Sequence, residues 1–370
     1  MIKIFDEVFV DKTRLGKKIP KEEYKKKGKY IIIDQGKDKI AGFTDNEDGI
    51  FTDVPTIIFG DHTRIIKYID KPFFLGADGV KVLKSKINNA NYKYLYYALK
   101  AAYIPNTGYN RHFKWLKKVS INYPSFEKQK RIVKLLDNLS EVKNKKNEEL
   151  KLCDTLIKAR FVEMFGDPGL VHRENKVCNL ENVAEVRSSH RIFTREFTKS
   201  GVPFYRGTEI SLLANGKEPI HSYYISKARY DEITKNDSKP KIGDLLMPSI
   251  CDKGQIWLVN TSKPFYYKDG RVLCISPNRE KFNTIFFHQY MKMKSQIEYL
   301  KIGSGSTFAE FKIFQLKKLK INIPPLKLQN EFASFVQQVD KSKVVNASIM
   351  KYIISIRFYL YFKENKEGAR

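Results

Sequence analysis

One segment is written twice in this chain. "INYPSFEKQK" begins at Ile121 and "INIPPLKLQN" at Ile321, sharing Ile, Asn, Pro and Gln in register, 200 positions apart. The approaches match too: "LKKVSI" at 116–121 and "LKKLKI" at 316–321. Further out, "PFFLGADGVKVL" (72–83) answers "PFYYKDGRVLCI" (264–275), and "NYKYLYYALK" (91–100) answers "FNTIFFHQYMK" (282–292). Between them and the repeated strand, "IPNTGYNRHFK" answers "IGSGSTFAEFK". The order is the same in both halves. A period of roughly 150–200 residues is too long for a solenoid repeat and suits a domain.

Each unit ends in a helix. From Ser125 to Phe165 the chain carries neither Gly nor Pro. Ser125 offers an N-cap and Glu127 an acid in the first turn. Apolar residues recur at Ile132, Leu135, Leu136, Leu139 and Val142, then at Leu150, Cys153, Leu156, Ile157 and Phe161. These threes and fours are helical spacing. Gly166-Asp167-Pro168-Gly169 stops the run. About 40 residues at 1.5 Å rise span roughly 60 Å, with a weakly apolar middle, "KNKKNEE", where the helix can bend. After Pro325 a second helix carries Phe332, Phe335, Val336, Val339, Val344, Val345, Ile349, Ile353 and Ile356. A stripe this long cannot bury itself, so the two helices are expected to pair; the alternative is packing of each on its own globule. Leu135, Leu139, Leu156, Phe161, Phe335, Val339, Ile349 and Ile353 are the candidates for that pairing or for docking a partner.

Before the helices, residues 28–60 and 202–275 give short β-branched runs punctuated by Gly, Asp and Pro. The expected architecture is two α+β globules with small curved sheets. The expected boundaries are 1–124, the helix 125–165, 166–324, and the helix 325–370.

Formal net charge is +27, with pI ≈ 9.6. This favours a polyanionic partner over a merely lysine-rich solvated surface. Cys153, Cys178, Cys251 and Cys274 form no C-x-x-C pair and read as reduced thiols of a cytoplasmic protein. The N-terminus lacks the apolar run of a signal peptide, and no stretch is apolar enough for a membrane span. There is no Walker-type phosphate loop and no G-x-G-x-x-G after a strand. "NYPS" at 122–125 departs from the Asn-Pro-Pro-aromatic loop of amino-methyltransferases. The histidines, His62, His112, His172, His190, His221 and His288, show no metal-binding spacing, and carboxylates such as Asp61 or Asp78 near lysines are expected by chance in so charged a chain. A basic, duplicated chain without a catalytic signature points to recognition.

The repeated "LKKVSINYPSFEKQKRI" and "LKKLKINIPPLKLQNEF", with "KARFVEMFGDP" (158–168) and "KIGDLLMPSICDKGQIWLVN" (241–260), resemble the DNA-specificity (S) subunit of type I restriction–modification systems. The likeness covers essentially the whole chain. It implies two target recognition domains held apart by two antiparallel, coiled-coil-like conserved helices about a pseudo-twofold axis. Each domain would read one half of a split DNA sequence. It also implies two methyltransferase (M) subunits docked on the helices and restriction (R) subunits joining them. S-adenosylmethionine, ATP and magnesium would then belong to those partners; the S subunit itself holds no cofactor and catalyses nothing. The first half lacks a clean counterpart of "GDLLMPSICDKGQ", the nearest being "VPTIIFGDHTRIIKYI" (54–69).

Two globules reading one face of a duplex are expected about one helical turn apart, roughly 34 Å. Arg suits guanine, Asn or Gln suits adenine, and Lys suits phosphate. The candidates in the first globule are Gln35, Lys37 and Lys39, with Asn106, Thr107, Tyr109, Asn110 and Arg111. In the second they are Arg206, Thr208, Lys253, Gln255, Ser304, Ser306 and Thr307. The rival readings are a stand-alone DNA methyltransferase or nuclease and a non-catalytic RNA-binding scaffold.

Overall fold

The computed structural model describes residues 1–76, 78–171, 176–219, 223–235, 238–302 and 309–366, with all side chains except those at 347, 350, 351 and 353–366. The chain divides into two compact units, Met1–Glu148 with Ala347–Arg370, and Glu149–Asn346. Both mix helices and sheets.

The first unit opens with β1 (Ile2–Ile4), α1 (Phe5–Val8) and β2 (Phe9–Asp11). It continues through β3 (Tyr30–Ile33), β4 (Gly42–Thr44), β5 (Thr56–Gly60), β6 (Ile66–Ile69), β7 (Phe73–Leu75) and β8 (Val80–Ser85). It closes with α2 (Tyr92–Ala101), α3 (Phe113–Leu116), β9 (Ser120–Asn122) and the start of α4 (Phe126–Phe165). One sheet runs β2-β8-β5-β6, a second β4-β3-β7, and β1 pairs with β9. β5, Thr-Ile-Ile-Phe-Gly, is buried at every position. A β-branched run with strands on both sides belongs there.

The second unit repeats the plan. It contains β10 (Lys176–Asn179), β11 (Ala184–Arg187), β12 (Phe197–Thr198), β13 (Val202–Tyr205), α5 (Gly207–Ala214), β14 (Tyr223–Ile225) and α6 (Lys227–Ile233). Then come β15 (Leu245–Pro248), β16 (Trp257–Leu258), β17 (Tyr266–Tyr267), β18 (Val272–Pro277), α7 (Thr284–Ile302), α8 (Ile313–Lys317), β19 (Lys320–Ile323) and α9 (Leu326–Lys366). The sheet orders are β11-β18-β15-β16 and β12-β14-β13-β17, with β10 on β19. Among the described residues, one strand pair in each unit is parallel, β3 with β7 and β13 with β17. The missing counterpart is thereby found: "TIIFGDHTRIIKYI" supplies β5 and β6 where "LLMPSICDKGQIWL" supplies β15 and β16. A central strand needs apolar bulk at the right register, not particular residues, so the wording drifted while the topology stayed.

The twice-written segment is a strand–proline–helix corner. Ile2 faces Asn122 and Val177 faces Asn322 in the two antiparallel pairs. Gln129 donates its amide to the Pro124 carbonyl at 3.0 Å, and Gln329 to the Pro324 carbonyl at 2.8 Å; both side chains are buried. The shared glutamine satisfies a carbonyl that the corner would otherwise strand.

α4 is one continuous helix of 40 residues. It ends at Gly166, whose φ of +76° and bond from its N–H to the Val162 carbonyl form a glycine C-cap. Within the first unit its opening turns pack on their own globule. Ile132 and Val133 meet the core, and Asp137 takes Lys93 Nζ and the Tyr97 hydroxyl, each at 2.6 Å. Leu135 is exposed and Leu139 half-buried. Within the second unit the end of α4 packs antiparallel against the start of α9. Phe161 meets Phe332 edge-on at 5.5 Å, and Asp154 pairs with Lys343 at 2.7 Å. Phe161 also stacks on Phe286 and Tyr290, both at 5.7 Å, which joins the helix pair to α7. Each such ring pair adds about 0.5–1.5 kcal/mol beyond burial. Phe335 and Val339 lie in this core, whereas Leu156 is 51% exposed. Ile349 is exposed, and the Ile353 side chain lies outside those described.

Candidate nucleic-acid interface

In the first unit three loops meet at the exit of β5. Gly60 ends that strand; a Cβ there would sit 2.3 Å from Thr63 Oγ1 and 2.8 Å from Gln35 Cβ, so only glycine lets the loops approach. Gln35 is the clamp. Its Oε1 accepts the His62 N–H at 3.1 Å, and its Nε2 donates to the Asp78 carbonyl at 3.0 Å. Both polar atoms are engaged, so the structure makes Gln35 a brace for the loops. Lys67 closes the same turn by donating to the Asp38 carbonyl at 2.6 Å, and burial pushes its ammonium below the usual range. Lys37 and Lys39 are exposed at the tip of that turn.

The loop before the repeated strand joins them. Buried Asp61 accepts the Phe113 N–H on its carboxylate at 2.7 Å, and its carbonyl accepts the His112 N–H at 2.8 Å. The buried His112 ring in turn lies 3.3 Å from Thr107 Oγ1. Asn110 donates to the Thr107 carbonyl at 2.5 Å, and Asn106 accepts the Gly108 N–H at 3.3 Å. Tyr109, 91% exposed, stacks on His62 at 5.0 Å and 12°. Arg64 donates to the Ile104 carbonyl at 3.0 Å, and Arg111 is exposed beside them. The two sequence-predicted clusters, 35–39 and 106–111, therefore converge. What brings them together is the Asp61–Arg64 turn, inside the 54–69 segment, whose part in joining the two loops the sequence did not show. Its signal was a glycine closing an apolar strand ahead of four polar residues. A groove of ≈ 760 Å³ runs from this edge along β6, lined among others by Lys37, Lys39, Arg64, Tyr68, Tyr96 and Lys100. Cations interleaved with aromatic rings suit a phosphate backbone and its bases.

The second unit builds the same edge with other residues. The Ser249 N–H donates to the Arg271 carbonyl, as that of Asp61 does to Gly79, and the Ser249 carbonyl accepts the Phe311 N–H. Arg271 pairs with Glu310. A Cβ on Gly207 would lie 3.6 Å from Pro248 Cβ and 3.9 Å from the Arg271 carbonyl, which puts Arg206 and Thr208 at this edge. Arg206 forks onto Glu209 at 2.9 and 3.1 Å and lies 4.5 Å from the Tyr223 ring centre. Burial opposes charge on Glu209, but the Arg206 hydrogen bonds outweigh it and hold the carboxyl below its ordinary value.

Lys253 and Gln255 go elsewhere. Gln255 accepts the Lys253 N–H and donates to Asp252, and the turn packs on α7, where a Cβ on Gly254 would lie 2.7 Å from the Lys292 carbonyl. This turn lines a small cavity with Asp154 and Lys158 of α4, away from Arg206. Ser304, Ser306, Thr307, His172 and His221 lie outside the described residues. Among those described, no group of three or more His, Cys, Asp or Glu could hold a metal, and no helix is long and apolar enough to cross a membrane.

The family model for the type I restriction modification DNA specificity domain matches residues 6–152 and 172–351. A sequence from Haemophilus influenzae assigned as a type I restriction enzyme specificity subunit is 28% identical over 297 residues, 76% of this chain and 72% of the relative. The MjaX specificity subunit sequence of Methanocaldococcus jannaschii is 24% identical over 307 residues, 75% and 68% of the two chains. The crystal structure of a type I restriction–modification S subunit from M. genitalium is similar with a TM-score of 0.55 at 17% identity, covering 97% of this chain and 94% of that one. A structure from a study of complex assembly and conformational transition in the type I R-M system gives 0.53 at 16% identity, covering 99% and 97%. The twin loop-bearing edges on a duplicated fold and the match over both halves give one conclusion: the chain belongs to the type I restriction modification DNA specificity family.

Proposed function

We propose that each unit reads one half of a bipartite duplex target, and that methyltransferase and restriction subunits bound to this chain supply the catalysis. The observation that carries this reading is the repetition of one loop-bearing edge on one topology with different side chains. A duplicated scaffold with diverged tips reads two different sequences; an enzyme would keep one constellation. S-adenosylmethionine, ATP and magnesium belong, on this reading, to the partner subunits, which number two M subunits plus R subunits. The assembly works in the cytoplasm, where its DNA substrate lies.

The first test is selection of bound sequences from a random duplex pool by the full chain assembled with its methyltransferase partner. A two-part consensus separated by an unread spacer of fixed length is expected. Affinity should fall steeply with salt, because lysine–phosphate contacts release counterions. Transfer of a labelled methyl group by the chain alone would make it an enzyme, and preference for single-stranded RNA over duplex DNA would make it a different kind of binder.

A further inference from the structure

Resting on that reading, we propose that the loop Ser188–Glu196 of the second unit is a DNA-contacting element that helps determine its half-site, with Phe193 holding Arg191 and Arg195 against the duplex. The segment "SHRIFTRE" follows β11. Phe193 is 46% exposed, and the guanidinium carbons of Arg191 and Arg195 lie 5.2 and 5.3 Å from its ring centre. Each cation–π contact at an exposed ring is weak, and it leaves the outer face of both guanidinium groups open to a further partner. Neither guanidinium is hydrogen-bonded among the described residues.

The loop is nevertheless held firmly. Ile192 beside the exposed ring is buried. The Phe193 N–H donates to Glu196 Oε2 at 2.7 Å, and Glu196 forms an ion pair with Arg229, with Oε1 2.8 Å from Nε. The His190 N–H donates to the Tyr266 hydroxyl at 2.8 Å. A fixed, exposed ring carrying two cations is pre-organised for a polyanion with π-faces and sugar edges.

The loop is also continuous with the reading edge. Ser188 Oγ accepts the Gly270 N–H at 2.9 Å, next to Arg271, and Ser189 Oγ donates to the Tyr267 carbonyl at 2.7 Å. At its other end Phe197 packs on Tyr223 at 4.7 Å, the ring on which Arg206 also lies. The first unit has a corresponding loop after β2, in which Leu15 is 61% exposed among Arg14, Lys17 and Lys18, and Lys18 pairs with Asp78 at that unit's edge. Both units therefore place an apolar tip among cations at the same point of the topology.

The test compares wild type, Phe193→Ala, Phe193→Tyr and Arg191→Ala/Arg195→Ala, each as the full chain assembled with its methyltransferase. The measurements are sequence selection from random duplexes and anisotropy titration on the wild-type consensus. Phe193→Ala and the double arginine variant should lose or relax one half of the consensus only, with affinity down about tenfold. Phe193→Tyr should stay near wild type. Unchanged thermal unfolding, expected for exposed residues, separates contact from folding. Variants that select the same two-part sequence at the same affinity overturn the proposal, as does a loss of methyltransferase capture with DNA selection intact, which would make the loop a protein contact. Failure of the wild type itself to select any duplex sequence would instead remove the DNA-reading assignment, and this proposal with it.

Discussion

The glutamine of the repeated corner gives a quantitative test of how far the two copies have diverged. Gln329 is fully buried and serves three backbone groups: its amide donates to the Lys281 and Pro324 carbonyls at 3.0 and 2.8 Å, and its Oε1 accepts the Asn283 N–H at 3.0 Å. It thus ties the start of α7 to the start of α9. Gln129 is equally buried but makes one described bond, to Pro124, and its Oε1 has no partner among the described residues. An unmet buried backbone group costs about 1–3 kcal/mol. With partial relaxation, Gln329→Ala should cost about 3–4 kcal/mol and Gln129→Ala about 1–2 kcal/mol. With a urea slope of about 2 kcal/mol/M, the Gln329→Ala midpoint should fall by roughly 1.5–2 M and the other by less than about 1 M. Gln329→Glu should be at least as damaging at neutral pH, because a carboxylate faces two carbonyl oxygens with no proton to donate. Equal losses for the two alanine variants, or a Gln329→Ala midpoint within about 0.3 M of wild type, would refute the reasoning.

Other outcomes follow from single contacts. Gly254→Ala should destabilise the second unit by about 1–3 kcal/mol in denaturant titration, since φ is +66° and the new Cβ meets the Lys292 carbonyl. Burial, then Lys292, holds the His288 imidazole down at about 4 against an ordinary 6.5, opposed only by its bond to the Ile256 carbonyl. The unfolded chain therefore takes that proton first: stability is full above pH 6.5 and falls as pH drops toward about 4. Denaturant midpoints at pH 7 and pH 5 should show that loss in wild type and a smaller one in His288→Gln. Asp61→Ala should free the Asn106–His112 loop and relax one half of the selected consensus, while Arg206→Ala relaxes the other. Arg206→Lys should behave like Arg206→Ala, because an ammonium cannot fork onto Glu209 and lie flat on Tyr223.

The repetition, the long helix ending at Gly166 and the strand–proline–helix corner were all legible in the residues. Each depends on local punctuation or on a 3.6-residue period, and such signals survive without knowledge of neighbours. Phe161 and Val339 could be placed on a buried stripe for the same reason. Which residues at the loop tips remain available to a ligand was not legible. Gln35 looks in sequence like a reader of adenine, yet His62 and Asp78, 27 and 43 positions away, each engage one end of its amide and set it as a brace between the loops. Gln255 is tied into its own turn by one accepted and one donated bond, and that turn, with Lys253, packs on α7.

The sequence by itself determined that this chain is two copies of one α+β plan joined through long amphipathic helices. Tertiary structure fixed the 54–69 segment, only the nearest match by wording, as β5 and β6 in the places of β15 and β16, and it alone decided that the Asp61–Arg64 turn unites two loops and that Arg191, Phe193 and Arg195 share one exposed site. The physical reason is that backbone periodicity is set by near neighbours, whereas the partners of a hydrogen-bonding side chain are groups that only folding brings within 3 Å or so.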